Sequence, residues 1–279
     1  MILQEQPLFV IRKPHWMISE RDVLAAFHAL SKNDKARFLC VRDNATGIFP
    51  TMEMAFAENS FAIPAQTGLV HGFFPLHSRF NHSCLPNSKV PDQVKSGDCI
   101  ALHATCDIEA GTEILFCYES DFSYRTRNDR HGILRFECTC HACDLNSPFQ
   151  VLSDMRRTLM RGLNYLTTGR DIDGQVHSSK ASSIIDDTSL KRDAETRSIS
   201  LSSLFIYSLL LMALSEQEGL LDAFTEARMA EGIMYMLQAF GTENREMADQ
   251  AILQEGWTQM FCIASLMWGR QDAADTAFA

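Results

Sequence analysis

Three cysteines within six residues, Cys138-Thr139-Cys140-His141-Ala142-Cys143, constrain this chain more than any other feature. Thiols spaced this closely can fill three corners of a tetrahedral zinc site, with sulfur about 2.3 Å from the metal. The fourth ligand has to come from elsewhere. Cys84, in the segment Arg79-Phe80-Asn81-His82-Ser83-Cys84-Leu85-Pro86-Asn87, is a candidate, and His141 inside the cluster is an alternative. A closed Cys₄ site is chemically saturated, so it would be structural and bind no substrate. The competing reading is three reduced thiols near a surface without metal, which would be an oxidation liability.

Cysteine usage also bounds the compartment. The chain has nine cysteines, and Met1-Ile2-Leu3-Gln4-Glu5 has neither the basic start nor the apolar run of a secretory signal. A reducing, intracellular compartment follows, nucleus or cytoplasm, where cysteines serve as metal ligands or small apolar groups rather than disulfides. Cys40, Cys99, Cys106, Cys117 and Cys262 stand singly, mostly in apolar runs, and read as core residues. Hydrophobic residues make up 46% of the chain and charged residues 22%, ordinary values for a soluble globular protein. The net charge is -10; residues 1–149 carry 14 basic and 17 acidic side chains, and residues 150–279 carry 11 and 18. This argues against direct nucleic-acid binding, which needs clustered Lys and Arg, and it would attract a basic protein partner. The charge-free stretch Ser198–Ser215 holds six serines, and its apolar residues follow helical spacing. It reads as a buried core helix, and no membrane association is expected.

The pattern changes character twice along the chain. Ile2–Arg12 reads as short strands broken at Pro7, and Ser19 with Asp22 as the start of a helix. A second helix is expected over Asp34–Val41 and a turn over Asp43–Gly47, while residues 51–71 are ambiguous and partly helical. Cys99–Cys106 and Thr112–Tyr118 read as strands around the turn Asp107–Gly111, and residues 124–135 as a helix. After Pro148 helices are expected at 149–168, 189–215, 219–240 and 243–269, with a polar, mobile loop over Gly169–Asp187.

Taken alone, Asn81–Asn87 could be a tight turn whose amides cap their own backbone. Its wider context narrows the reading. Phe74 to Asn87, then Ile108-Glu109-Ala110-Gly111-Thr112-Glu113-Ile114-Leu115-Phe116-Cys117-Tyr118, then Arg135-Phe136-Glu137-Cys138 to Cys143, occur in the order of three motifs. Together they resemble the SET-domain protein lysine methyltransferases, specifically the SET-and-MYND branch and its fungal relatives with a post-SET zinc segment. The resemblance is firm over residues 72–145 and loose over 2–71. It implies an α+β fold of small antiparallel sheets with a helical insert at about 19–71, followed by an α-helical domain. The implied divisions are a SET domain over 1–137, a post-SET zinc segment over 138–148 and the helical domain over 149–279.

The resemblance also implies roles. Asn81 and His82 would contact S-adenosylmethionine, Tyr118 would stand beside the transferred methyl group, and Phe136 would pack on the adenine. Cys84, Cys138, Cys140 and Cys143 would hold structural zinc. The implied function is S-adenosylmethionine-dependent lysine methylation of a protein substrate, with a Lys-rich, histone-like protein as the expected partner. The family's Gly-x-Gly ribbon would precede a segment like Leu3–Leu8, yet the first glycine is Gly47; Cys40 is the only cysteine before Cys84, so a MYND finger is not expected. The alternative is therefore a catalytically inactive, SET-derived protein-interaction module.

Overall fold

The computed structural model describes residues 1–42, 47–65, 68–91, 99–134, 136–174 and 184–240. The chain divides into two compact units: Met1–Tyr118 with Leu134–Glu137, and Glu119–Ile133 with Cys138–Ala279.

The first unit is built on short strands. β1 (Leu3–Glu5) and β2 (Phe9–Ile11) lie on either side of Pro7, as the sequence predicts. Helix α1 (Glu20–Ala29) begins at Ser19, whose backbone N–H and hydroxyl both donate to the Asp22 carboxylate, at 3.0 and 2.8 Å. Helix α2 spans Lys32–Phe38 rather than Asp34–Val41, because the Ser31 hydroxyl caps it by accepting from the Asp34 amide. The ambiguous stretch 51–71 resolves into α3 (Met52–Asn59) and a hairpin of β3 (Ser60–Ala65) and β4 (Gly68–Phe73). β4 is the centre of a three-stranded antiparallel sheet ordered β2-β4-β3. Gly72 in β4 is a packing requirement: a Cβ there would come within 2.9 Å of Ile63 and Phe74.

A second antiparallel sheet is ordered β1-β7-β6, with β6 at Ser88–Lys89 and β7 at Ile100–Ala104. The third pairing is parallel and short: β5 (Asn81–His82) lies beside β8 (Leu115–Phe116). The expected strand Thr112–Tyr118 thus contracts to two residues. Behind these sheets Ile11, Val23, Phe38, Phe56 and Phe73 form one apolar cluster, and Ile63, Val70, Phe74 and Ile100 form another. Burial of such side chains contributes roughly 1.5–3 kcal/mol each.

The second unit is helical. A 3₁₀ segment, Ser120–Tyr124, leads to α4 (Arg127–Ile133), shorter than the expected 124–135. Helix α5 covers Pro148–Thr168, with the Ser147 hydroxyl capping it and Pro148 in its first turn. It ends at Gly169, whose φ of 68° is left-handed and whose Cβ, if present, would collide with the Ala194 carbonyl. The single helix expected over 189–215 is two, Thr188–Glu195 and Leu201–Gln217. Arg197 breaks it at φ 57°, and the Ser200 hydroxyl caps the second piece. A further helix runs over Ala223–Phe240.

Ile206, Tyr207, Leu210 and Leu214 pack against Met160, Leu163 and Tyr165, so the charge-free stretch is a core helix. No helix among the described residues is long and apolar enough to cross a membrane. The predicted helix 243–269, Cys262, most of the Asp43–Gly47 turn and residues 175–183 of the polar loop lie outside the described residues.

Candidate functional site

Two segments distant in sequence are stitched into one surface of the first unit. The parallel pairing places Asn81 opposite Leu115 and His82 opposite Phe116, and the Ser83 amide continues it by donating to the Phe116 carbonyl at 3.1 Å. Asn87 closes the other side. Its Nδ2 donates to the Glu113 carbonyl and its Oδ1 accepts from the Leu115 amide, both at 2.8 Å. The Ser88 hydroxyl donates to the Leu115 carbonyl. Asn87 therefore acts as a backbone clamp, with both ends of its amide used.

The clamp sets the aromatic residues. Tyr118 follows β8, and its amide donates to His82 Nδ1 at 3.1 Å. Because Nδ1 accepts, the proton of the neutral imidazole is on Nε2, which faces Cys84 Sγ at 3.3 Å and donates to it. The Tyr118 hydroxyl donates to the Phe80 carbonyl at 3.1 Å, while the residue as a whole is 40% exposed. Rings of His82, Phe116 and Phe136 surround it, with centroids at 5.0, 5.1 and 6.3 Å. Burial of the phenol, and next the Glu113 carboxylate, push the Tyr118 pKa above its ordinary value. The hydroxyl is thus a neutral dipole at physiological pH.

Asn81 is exposed and half-buried Phe136 packs edge-on against His82 at 6.0 Å. The structure therefore brings Asn81, His82, Tyr118 and Phe136 onto one surface.

A residue that sequence reasoning missed supports the turn leading into β5. Buried Glu5 of β1 accepts from the Leu76 and His77 amides, each at 3.0 Å, and from His77 Nδ1 at 2.8 Å. Burial raises the Glu5 pKa, but these hydrogen bonds, led by that of His77, outweigh it and hold the carboxyl below its ordinary value. The His77 ring lies edge-on to Phe61, Phe74 and Phe80.

The thiols of Cys84, Cys138, Cys140 and Cys143 all lie within 4.8 Å of one another, a group that could hold a metal ion. Three are buried and Cys140 is half-buried. Amides of Cys143 and Asp144 both donate to the Cys140 carbonyl, turning the cysteine segment back on itself. Arg130, fully buried, donates to the Arg125 and Ala142 carbonyls and approaches Cys143 Sγ at 3.4 Å. Hydrogen bonds from Arg130 and His82 favour thiolate over thiol, which is the form a metal needs. The donor set suits zinc: four sulfurs, no exposed carboxylate, and outer hydrogen bonds that steady two of them.

His141 is exposed, stacks on Phe149 at 4.7 Å and is not part of the group. Of the cysteines read as core, Cys40 and Cys106 are exposed and Cys99 and Cys117 half-buried. Cys106 sits just past the end of β7 and Cys40 just past α2, where the apolar runs leave the core.

Residues 9–119 match the sequence profile of the SET domain. The chain carries a SET domain. Relatives of this chain include the histone-lysine N-methyltransferase set5 of Schizosaccharomyces pombe, 36% identical over 107 residues, which are 37% of this chain and 32% of that protein. The human histone-lysine N-methyltransferase SMYD3 is 38% identical over 76 residues, 26% of this chain and 17% of the relative. The mouse protein-lysine N-methyltransferase SMYD4 is 34% identical over 104 residues, 36% and 13% of the two chains. The match thus spans about a third or less of these relatives' lengths. Small antiparallel sheets with inserted and following helices agree with the α+β SET-type fold that the motifs imply.

Proposed function

We propose that this SET domain transfers a methyl group from S-adenosylmethionine to a lysine of a protein substrate. The observation that carries the reading is the convergence of Tyr118, His82 and Phe136 around one exposed phenol ring. Bound S-adenosylmethionine would supply an electrophilic methyl carbon: the lysine nitrogen bonds to it in line as the carbon–sulfur bond breaks, and the sulfur leaves as a neutral thioether.

That reaction needs a neutral amine, aimed and stripped of water, and no catalytic metal. Tyr118 suits this task because its hydroxyl is neutral, oriented by the Phe80 carbonyl, and its amide is tied to His82 just past β8. A neutral dipole can orient donor and acceptor without burying a charge beside a sulfonium. Asn81 and His82 offer the cofactor a polar edge and Phe136 an aromatic one. The net charge of -10 supports a basic, Lys-rich substrate segment, histone-like or otherwise. Cys84, Cys138, Cys140 and Cys143 would hold one structural zinc, and metal analysis of the purified chain should return about one zinc per chain. A metal-free Cys140→Ser variant of unchanged stability would refute the zinc assignment.

Calorimetry with S-adenosylmethionine tests the enzyme reading directly. Measurable binding is expected; no heat at millimolar cofactor would sink it and leave the inactive interaction module. Tyr118→Phe keeps the ring and removes the hydroxyl. Methyl transfer should fall about a hundred-fold, the scale of lost positioning, while stability falls by no more than the one hydrogen bond to the Phe80 carbonyl, about 1 kcal/mol. Unaltered turnover would remove Tyr118 from the chemistry.

A further inference from the structure

The two asparagines of the motif are used differently. Asn87 has both ends of its amide bound to backbone. Asn81 has one end bound: Nδ2 donates to Glu113 Oε1 at 2.6 Å. Among the described residues nothing donates to Asn81 Oδ1, and the side chain is exposed. A carboxylate is an acceptor only, so this contact decides which end of the amide faces it. Reversing the amide would set its oxygen against the Glu113 oxygens and forfeit a short, charge-assisted hydrogen bond.

We propose that Glu113 is a positioning residue of this site, holding the Asn81 carboxamide with Oδ1 turned away from it, so that the ligand group meeting Asn81 must be a hydrogen-bond donor. An ammonium, hydroxyl or amino group satisfies that demand and a carboxylate does not. Glu113 is well placed for the task. Its own carbonyl is fixed by Asn87, and Leu115, two residues on, is held in the parallel pairing with Asn81. The same carboxylate is near enough to Tyr118 to help keep that phenol protonated.

The inference takes the ligand's identity from the methyltransferase reading, so its test has a ligand-free arm. In the ¹⁵N-labelled 279-residue chain, the Asn81 side-chain amide resonances should move as the Glu113 carboxyl is titrated, and should lose that movement in Glu113→Ala. Resonances indifferent to pH, or unchanged in Glu113→Ala, overturn the contact whatever the chain binds. The second arm is calorimetry with S-adenosylmethionine and with S-adenosylhomocysteine, which lacks the sulfonium charge. Loss of one charge-assisted hydrogen bond should weaken both about ten-fold in Glu113→Ala. Glu113→Gln keeps an accepting oxygen and should stay within about two-fold of wild type. Wild-type affinity in Glu113→Ala overturns the positioning role. So does a loss in Glu113→Gln confined to the sulfonium ligand, because Glu113 would then act on the ligand's charge. A wild-type chain that binds neither ligand sinks the methyltransferase reading and the donor role with it, while the ligand-free arm still judges the contact.

Discussion

Between Met1 and Tyr118 the largest fully buried side chains are Phe38, Phe56, Phe73 and Phe74, whereas beyond Glu119 they include Arg130 and Arg157 beside Tyr165 and Met160. The phenylalanines pack ring on ring, Phe73 lying 4.9 Å from Phe38 and 5.9 Å from Phe9. The arginines are held by specific acceptors. Arg157 donates to Glu218 at 2.8 Å and to the Phe122 carbonyl at 2.6 Å; Arg161 takes Asp171 bidentately, at 2.8 and 2.7 Å, and reaches Asp173 at 2.6 Å. The two kinds of interior fail differently. An apolar core loses stability in proportion to the volume removed. A buried charge that loses its partner keeps its full desolvation cost, so one small change acts as a large one.

Glu218→Gln should therefore be the most damaging single change considered. It leaves Arg156 and Arg157 buried beside a neutral amide, and about 3–5 kcal/mol should be lost on chemical denaturation. Hydrogen exchange should speed up along α5 while β2 and β4 keep their protection. A cost under about 1 kcal/mol would mean that the charges are not what holds the helical unit. Phe73→Leu is the matching change in the first unit. It preserves most of the buried volume, so about 1–2 kcal/mol is expected from the same denaturation measurement. If Phe73→Leu cost more than Glu218→Gln, the contrast between the two interiors would be lost.

What was legible in the sequence follows from how local each cause is. The Ser19–Asp22 cap could be read because donor and acceptor lie three residues apart. Ser31 and Asp34 carried the same signal for α2, which a start at Asp34 overlooked. The cysteine set and the Asn81-His82 motif were visible because their chemistry is written in residue type and order. The β3–β4 hairpin was hidden because Pro64, Gly68 and Gly72 dilute strand character, and pairing with β2 supplies what propensity does not. Thr112–Tyr118 shows the opposite error: β-forming residues abound, but β5 offers only two residues to pair with. Glu5, Glu113 and Arg130 were invisible as site residues. Their work is done on amides, a carboxamide and a thiol far away in sequence, and a lone charged residue has no period to betray it.

The smallest expected effect separates the two units by acid. Each has a carboxyl held below its ordinary pKa against the opposing pull of burial: Glu5, by His77 and backbone amides, and Asp173, by Arg125 and Arg161. A carboxyl lowered in the folded state stabilises above its unfolded pKa, and the benefit is lost as pH falls through the folded value. For Asp173 the ordinary value is 3.8, so the loss falls below that pH. Its side chain is 38% exposed, so solvent screening limits the contribution to about 1 kcal/mol or less. Asp173→Asn should cost no more than that near neutrality, and its stability curve should meet that of the wild type once pH has fallen below the folded value. Added salt should shrink the difference, because the pair with Arg125 is partly open to solvent. Glu5 is 8% exposed and bonded to backbone amides, so Glu5→Gln should be far less sensitive to salt. Equal salt sensitivity in the two variants would show that exposure of the acid does not govern the salt response. Asp173→Asn and wild-type curves that ran parallel through the acid range would show that the arginine partners of Asp173 add nothing that depends on charge.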